Sequence, residues 1–274
     1  MLYALPLALF ADMAGMSRGQ VLSQHSLAAA IFVGMIGGYA LVFFVLRLLV
    51  RCDLSTASLR ALAIAGPAVP FVGVPVLGAL FGASSAMPIS IASLLMNLIQ
   101  VPATLIVLSS GTKGAGAKPN AERASLARQI GKAVREPVVW APLAAFALVL
   151  LGIRFPETIR HALMLLGAST GGVALFASGI VLFSRRVVLS PAVALSVIAR
   201  NLIIPGAVWG LMRLLHWPAD LSREAVLTLA IPTSSIPVIL AVQYGAAEQE
   251  MASMLFFSTV FSVLTMGGFI WLTA

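Results

Sequence analysis

The sequence predicts an all-α membrane protein that crosses the bilayer many times. Of its 274 residues, 60% are hydrophobic and only 9% are charged, and the mean hydropathy is +1.04. A soluble domain carries about 25% charged residues, so a chain this apolar could not cover a surface that faces water. Its apolar runs are long, and short polar segments separate them. The solvent of most of this chain is therefore expected to be lipid.

Nine apolar segments are predicted to cross the membrane, since a crossing takes about 20 helical residues. They cover residues 1–15, 26–50, 61–81, 87–109, 137–153, 161–183, 188–212, 225–244 and 251–273. The longest polar stretch separates the fourth segment from the fifth and carries six Lys and Arg residues against two Glu. We therefore divide the chain into a first half at 1–110, a basic linker at 111–136 and a second half at 137–274.

The distribution of basic residues predicts the orientation. Alternating loops on one side carry eleven Lys and Arg residues, including those of the linker, and loops on the other side carry five. Basic loops stay in the cytoplasm during insertion, which predicts an inner (plasma) membrane protein with a cytoplasmic N-terminus and an external C-terminus. The net charge of +8 thus reflects topology rather than nucleic acid binding. The linker could also contact anionic membrane lipid.

Two proline pairs suggest an internal repeat. The third segment contains Pro70 and Pro75, the eighth contains Pro232 and Pro237, and both pairs are followed by valine and, further on, by Gly-Ala. Proline inside a helix removes a backbone donor and collides with the preceding turn. Both segments are therefore predicted to be broken helices that face the protein interior, because unwound backbone is not tolerated against lipid.

Five crossings separate the two broken segments, so they should run in opposite directions and belong to an inverted repeat. Matched discontinuous helices of inverted halves mark a binding site near the bilayer midplane in secondary transporters. The alternative is that the prolines only kink their helices, as they often do in membranes. For a single break we would favour that alternative, but a matched pair favours the binding site.

Polar residues near the second half's prolines are candidate ligands for a solute. Arg200 and Asn201 interrupt an apolar run, and Thr233, Ser234 and Ser235 lie inside the second predicted break. A buried arginine costs at least about 2.5 kcal/mol on insertion scales, which an anionic solute would repay. Arg200 could equally cap carbonyls of an unwound helix or reach the headgroups. The three hydroxyls could bind solute or sodium, or could satisfy the opened backbone.

The same sequence gives no sign of an enzyme. The single cysteine, Cys52, cannot pair within the chain, and the three histidines are far apart in sequence. No nucleophile with a base, metal-ligand cluster or phosphate-binding loop is visible, so no cofactor or metal is expected. Acidic residues are scarce in the apolar segments, which disfavours a relay of carboxylates. Sodium or a proton remains a possible coupling ion.

Several short motifs resemble the auxin efflux carrier family, in particular its bacterial branch and the malonate carriers within it. The motifs are Leu5-Pro6 through Phe10, Phe71 through Pro75, Arg200 through Pro205, Tyr244-Gly245 and the stretch Ser253 to Thr265. The resemblance implies two inverted groups of five helices, a scaffold part, a transport part with crossing broken helices, and homodimers. It implies that solute binds at the crossing, near Arg200 and the positions Pro70, Phe71, Val72 and Gly73.

The resemblance also implies two differences from the family. The element that begins at Leu5 lies in the family's second helix, so we expect four helices plus five here, with the first one missing. Many relatives carry asparagine where this chain has Ala68. We therefore expect backbone groups from Val69 to Gly73 to contact the solute.

Three functional hypotheses follow. The first is a secondary transporter of a small organic anion, a malonate-like dicarboxylate, that works by alternating access. The second is a membrane interaction or sensory subunit that does not transport. The third is a sodium-coupled carrier of the bile-acid type, which would require more acidic or amide ligands than the segments offer.

Overall fold

The computed structural model describes residues 25–111, 137–153, 156–163 and 187–274, together with positions 7, 10, 11, 14 and 165. All regular elements in these residues are helical, as the sequence predicts. Four helices are long and apolar enough to cross a membrane: Ser26–Leu48, Met87–Ser109, Pro191–Leu214 and Glu248–Leu272. In its described part the chain is thus an all-α membrane protein with several spanning helices.

Residues 25–111, which contain the continuous described part of the first half, form four helices. They are α1 at 25–48, α2 at Leu54–Ala65, α3 at 69–81 and α4 at 86–111. Helices α1 and α4 agree with the second and fourth predicted segments. The third predicted segment corresponds to two helices, α2 and α3, which three nonhelical residues separate.

The second half shows the same arrangement in its described residues. Its helices are α5 at Pro137–Leu150, α6 at 191–214, α7 at Ala219–Ala230, α8 at Ile236–Tyr244 and α9 at Glu248–Leu272. The eighth predicted segment again corresponds to two helices, α7 and α8. The predicted segments 1–15 and 161–183 and the linker lie almost wholly outside the described residues.

Polar residues explain why α2 and α7 begin before their apolar runs. Asp53 is the N-cap of α2, and its Oδ2 accepts a hydrogen bond from the Thr56 N–H at 2.9 Å. Asp220 lies in the first turn of α7, where a negative charge complements the positive end of the helix dipole. A hydrophobicity pattern alone does not include these polar first turns.

The first helix break lies earlier than the proline pattern predicts. We expected the helix to unwind between Pro70 and Pro75, but the nonhelical residues are 66–68. Pro70 is the second residue of α3, where a missing N–H removes no helical hydrogen bond. Pro75 is the second residue after a π-helical turn, Val69–Gly73, at which the hydrogen-bond register changes. Pro237 is likewise the second residue of its helix, α8.

The second break contains its expected proline. Residues 231–235 are not helical, and Pro232 is among them. The two breaks pass each other as extended segments, with an isolated antiparallel bridge between Pro67 and Thr233. We call this place the crossover (residues 66–68 and 231–235). All of its residues are buried, so the opened backbone lies within protein rather than against lipid.

Three long helices contain a single π-helical turn. These turns are Val33–Gly37 in α1, Met96–Gln100 in α4 and Ala199–Ile203 in α6. A π turn is rare and frequently occurs at a functional site. Two of the turns carry buried polar side chains, including Gln100 and Arg200. In α4 and α6 the local change of register thus coincides with buried polar side chains.

The two halves share one hydrophobic core, which includes residues of α1 to α4 and of α6 to α9. Helix α1 comes close to the second half at two glycines. A Cβ added to Gly34 would lie 2.4 Å from Cδ1 of Leu229, and one added to Gly38 would lie 3.0 Å from Cδ1 of Ile204. The Gly34 to Gly38 spacing therefore allows α1 to pack against α7 and α6.

Candidate substrate-binding site

The crossover brings four helix ends together. Two backbone hydrogen bonds join the breaks: the Ala68 N–H donates to the Pro232 carbonyl at 2.9 Å, and the Ser234 N–H donates to the Gly66 carbonyl at 3.1 Å. The C-terminal ends of α2 and α7 and the N-terminal ends of α3 and α8 adjoin these residues. A helix end carries about half an elementary charge, negative at the C-terminus and positive at the N-terminus. The crossover therefore presents partial charges of both signs.

Four consecutive carbonyls at the end of α2, from Ala63 to Gly66, accept hydrogen bonds from outside the helix. The last carbonyls of a helix have no partner within it, and each one left buried and unpaired costs about 1–3 kcal/mol. In chain order the donors are Thr233 Oγ1 (2.6 Å), Arg200 Nη1 (3.0 Å), Gln100 Nε2 (3.2 Å) and the Ser234 N–H (3.1 Å). The broken helix is therefore held by α4, α6 and the second break.

Arg200 lies at the crossover and is 0% exposed. Its Nη1 donates to the carbonyl of Ile64 and its Nη2 to that of Ile231, so one guanidinium joins the ends of α2 and α7. A cation is stabilised at the negative end of a helix dipole. Of the roles left open by the sequence, this geometry matches the capping of carbonyls. The Nε of Arg200 is buried and has no hydrogen-bond partner among the described residues.

Asn201 supports the second break through Ser258 of α9. Its Nδ2 donates to the Ser258 carbonyl at 2.9 Å, and its Oδ1 accepts from the Ser258 hydroxyl at 2.7 Å. The same hydroxyl accepts from the Thr233 N–H at 3.1 Å. Because both ends of the Asn201 amide are occupied within the protein, Asn201 orients the break.

The three hydroxyl residues of the second break have different surroundings. Thr233 uses its hydroxyl to donate to the Ala63 carbonyl at 2.6 Å. Ser234 is 4% exposed, and its Oγ has no hydrogen-bond partner within the described part of the chain. Ser235 is also buried and precedes α8 without capping it through its side chain. Ser234 is therefore the hydroxyl best placed to bind a solute.

The predicted positions Pro70, Phe71, Val72 and Gly73 lie in the π turn that opens α3. The side chains of Pro70 and Phe71, like that of Pro75, lie outside the part that the structure describes. A Cβ added to Gly73 would lie 3.0 Å from Cδ1 of Ile231. The start of α3 thus packs directly against the second break.

Gln100 lies beside the crossover and did not belong to the predicted site. It is 0% exposed, and its Nε2 donates to the carbonyls of Met35 at 2.9 Å and Ala65 at 3.2 Å. Ser258 was missed as well. The only sequence signal for Gln100 is an amide within an apolar run, which suits a bond between helices as well as a binding site. The serine of a long apolar helix gives no distinctive signal.

An ion pair links α2 directly to α9. Arg60 donates from Nε and Nη2 to the two carboxylate oxygens of Glu250, the second contact at 2.9 Å. Both side chains are largely buried, at 14% and 20% exposed. The paired geometry satisfies the carboxylate with two parallel hydrogen bonds. This pair lies five residues before the end of α2, and it connects the two halves independently of the crossover.

A multi-pass helical protein whose interrupted helices cross at a buried point has the architecture of a membrane transporter. The sequence profile of a family described as membrane transport protein matches residues 1–270. The chain therefore belongs to this family, and the resemblance to the auxin efflux carrier family is confirmed.

Two relatives illustrate the similarity. The uncharacterized transporter YfdV of Escherichia coli K12 is 27% identical over 265 residues, which is 96% of this chain and 83% of the relative. A protein of Rhizobium meliloti strain 1021 named "Putative malonate transporter" is 23% identical over 238 residues, which is 85% of this chain and 72% of the relative. The protein is thus a membrane transporter by family.

Proposed function

We propose that the protein is a secondary transporter of a small organic anion, a malonate-like dicarboxylate, and that it works by alternating access around the crossover. The observation that carries this proposal is the buried crossing of two interrupted helices, whose four ends meet at one place. Such ends offer partial charges to a solute near the membrane midplane. The name of the R. meliloti relative supports the choice of dicarboxylate.

Matching helix lengths support an inverted repeat in this proposal. In α1 a π-helical turn of 5 residues precedes 11 α-helical residues, and α6 has the same two lengths in the same order. Helices α2 and α7, which follow them, both have 12 residues. In this register Pro67 corresponds to Pro232, since each lies two residues after its 12-residue helix ends. The repeat would thus pair Pro67, rather than Pro70, with Pro232.

Within the crossover, we place the substrate carboxylate at the starts of α3 and α8. These are the positive ends of half-helices, whereas Arg200 directs its two Nη groups to the negative ends of α2 and α7. The backbone N–H groups of Val69 and Phe71 and the Ser234 hydroxyl would contact the anion, since Pro70 has no N–H and that of Val72 donates to the Ala68 carbonyl at 2.9 Å. Arg200 would add positive potential and hold the site in shape, while Asn201, Thr233 and Ser235 would shape the second break.

The proposal includes a setting for the protein in the cell. The charge distribution supports an inner-membrane protein with the basic linker and the N-terminus in the cytoplasm and the C-terminus outside. The halves would be 1–110 and 137–274, in contact with membrane lipid. In the same proposal the protein forms a homodimer, and the gradient of sodium or protons drives transport.

Uptake by the purified protein in liposomes tests the proposal. Radiolabelled malonate should accumulate, acetate should compete more weakly, and imposed sodium or pH gradients would identify the coupling ion. Ser234→Ala should raise KM without lowering the unfolding temperature, because its Oγ has no hydrogen-bond partner among the described residues. Ser196→Ala is the matched control: that buried hydroxyl donates only to its own helix, to the Ala192 carbonyl at 2.7 Å.

Different results would support the other two hypotheses. A folded protein without flux of any carboxylate, purified in complex with another membrane protein, would identify an interaction subunit. Sodium-dependent uptake of bile acids without malonate uptake would identify the third class of carrier. An unchanged KM in Ser234→Ala would remove this hydroxyl from the binding site.

A further inference from the structure

Gln100 occupies a central place at the crossover. Its side chain is 0% exposed and extends from the π turn Met96–Gln100 of α4. One amide nitrogen, Nε2, donates both to the Met35 carbonyl in the π turn of α1 and to the Ala65 carbonyl at the end of α2. A single side chain therefore connects three helices at the point where α2 stops.

Gln100 and Arg200, which belong to opposite halves of the chain, donate hydrogen bonds to neighbouring carbonyls at the end of α2. Gln100 of the first half binds the Ala65 carbonyl, and Arg200 of the second half binds the Ile64 carbonyl. Both donors come from π turns, which displace side chains from the register of an α-helix. The last two carbonyls of α2 are thus bound by these two side chains, and their position determines where the first break begins.

The amide oxygen of Gln100, Oε1, lies against the first break. A Cβ added to Gly66 would lie 3.4 Å from Oε1 of Gln100, 3.3 Å from Cε of Met96 and 2.6 Å from the Leu62 carbonyl oxygen. Oε1 is buried and has no hydrogen-bond partner among the described residues. The Gln100 amide therefore lies beside the first residue of the crossover.

We propose that Gln100 is a positioning residue of the transport site, which sets the location of the first break relative to the second. It acts through Ala65 and Gly66, and the Gly66 carbonyl in turn accepts from the Ser234 N–H. Losing Gln100 would shift Gly66 and weaken the pairing of the two breaks. This inference rests on the proposed function for its effect on transport, but its structural part can be measured without a substrate.

The test compares Gln100→Met with Tyr39→Phe. Methionine keeps the length of the side chain but cannot donate to either carbonyl. Tyr39→Phe is the matched control, since it removes another hydrogen bond between α1 and α4, the one to Thr104 at 2.9 Å, and leaves α2 untouched. Both variants should lower the unfolding temperature by a similar amount. If Gln100 has only a structural role, this loss of thermal stability is the only effect expected of Gln100→Met.

A positioning role predicts two further effects in Gln100→Met only. Amide hydrogen exchange at Ala68 and Ser234, measured without substrate, should accelerate about fivefold to tenfold, the loss of roughly one hydrogen bond. KM for malonate should rise by a similar factor while the maximal rate changes less. Unchanged exchange at both amides would overturn the proposal, as would equal acceleration in Tyr39→Phe. If the wild-type protein transports nothing, the proposed function fails, and hydrogen exchange still decides whether Gln100 positions the break.

Discussion

Arg200 donates a hydrogen bond from Nη1 to the carbonyl oxygen of Ile64 at 3.0 Å, although 136 positions separate the two residues in the chain. The same guanidinium donates to the Ile231 carbonyl. Removing a charge from water costs several kcal/mol unless good hydrogen bonds replace the hydration. The buried cation is therefore stabilised by the two helix ends that it joins.

Arg200→Met should destabilise the protein strongly, because two buried carbonyls lose their donor at about 1–3 kcal/mol each. Arg200→Lys keeps the charge but lacks the planar fork that reaches two acceptors, so its loss should be intermediate. The unfolding temperature in detergent measures both. Arg213→Met, at an exposed position on the same helix, is the control and should change little. Wild-type stability of Arg200→Met would show that Arg200 does not support the crossover.

Gly66→Ala should impair folding, because the new Cβ would lie 2.6 Å from the backbone oxygen of Leu62, which cannot move aside as a side chain could. Overpacking of this kind costs about 1–3 kcal/mol. Gly78→Ala in α3 is the matched control: no described atom outside its own helix lies within 4 Å of its added Cβ, and alanine favours a helix by about 0.5–1 kcal/mol. The unfolding temperature should be lower than that of the wild type for Gly66→Ala and higher for Gly78→Ala. Equal stability would contradict the close approach at Gly66.

Asn201 and Ser258 should be energetically coupled. Ser258→Ala removes the acceptor of the Thr233 N–H and the donor to Asn201 Oδ1, and Asn201→Leu removes the other side of the pair. Each change should cost about 1–3 kcal/mol because a buried polar group is left unpaired. The double variant should lose less than the sum of the two, as expected for neighbours in one network. Additive losses in denaturant unfolding would argue against the network.

Exchanging the charges of Arg60 and Glu250 should distinguish the effect of their ion pair on stability from the effect of each charge alone. Each single reversal places two like charges together at a position less than one quarter exposed, so Arg60→Glu and Glu250→Arg should each lower the unfolding temperature. The double reversal should recover part of the loss. The control is Glu157→Gln, which removes an exposed partner of Arg160 and should have little effect. A double variant no better than the worse single variant would refute the link between α2 and α9.

The Asp53 cap predicts a stability change in acid. Partial burial opposes ionisation of Asp53, but hydrogen bonds from Thr56 and its neighbours outweigh it and lower the pKa below the ordinary value of 3.8. A lowered pKa in the folded state means that this stabilisation is present above the unfolded pKa and is lost as pH falls through the folded pKa. Asp53→Asn should keep most of the cap at pH 7 and lose this part of the acid sensitivity. Asp53→Ala should cost about 1 kcal/mol at pH 7.

Unfolding temperatures measured at pH 7 and at pH 3 decide this prediction. If Asp53→Asn and the wild type lose the same stability between these two values, the carboxylate of Asp53 contributes nothing specific. The mutant comparison is needed because it isolates Asp53 from the eight other acidic side chains of the chain.

The helices that cross the membrane were predictable because lipid imposes one requirement on every residue of a spanning helix. The crossing helices α1, α4, α6 and α9 were found within a few residues. The breaks were less predictable. Pro232 marks its break, but Pro70 and Pro75 are tolerated in α3, since a proline is harmless near the start of a helix or after a π turn. Sequence spacing alone did not show that Pro67 occupies the first break.

An all-α membrane protein with interrupted helices in both halves could be predicted from the amino-acid sequence, because composition and apolar run length depend only on local residues. Which backbone groups meet depends on how the helices pack. Four carbonyls at the end of α2 find donors in Thr233, Arg200, Gln100 and Ser234, all more than 30 positions away. A broken helix leaves carbonyls that need hydrogen-bond donors, but the packing of distant helices determines which residues supply those donors.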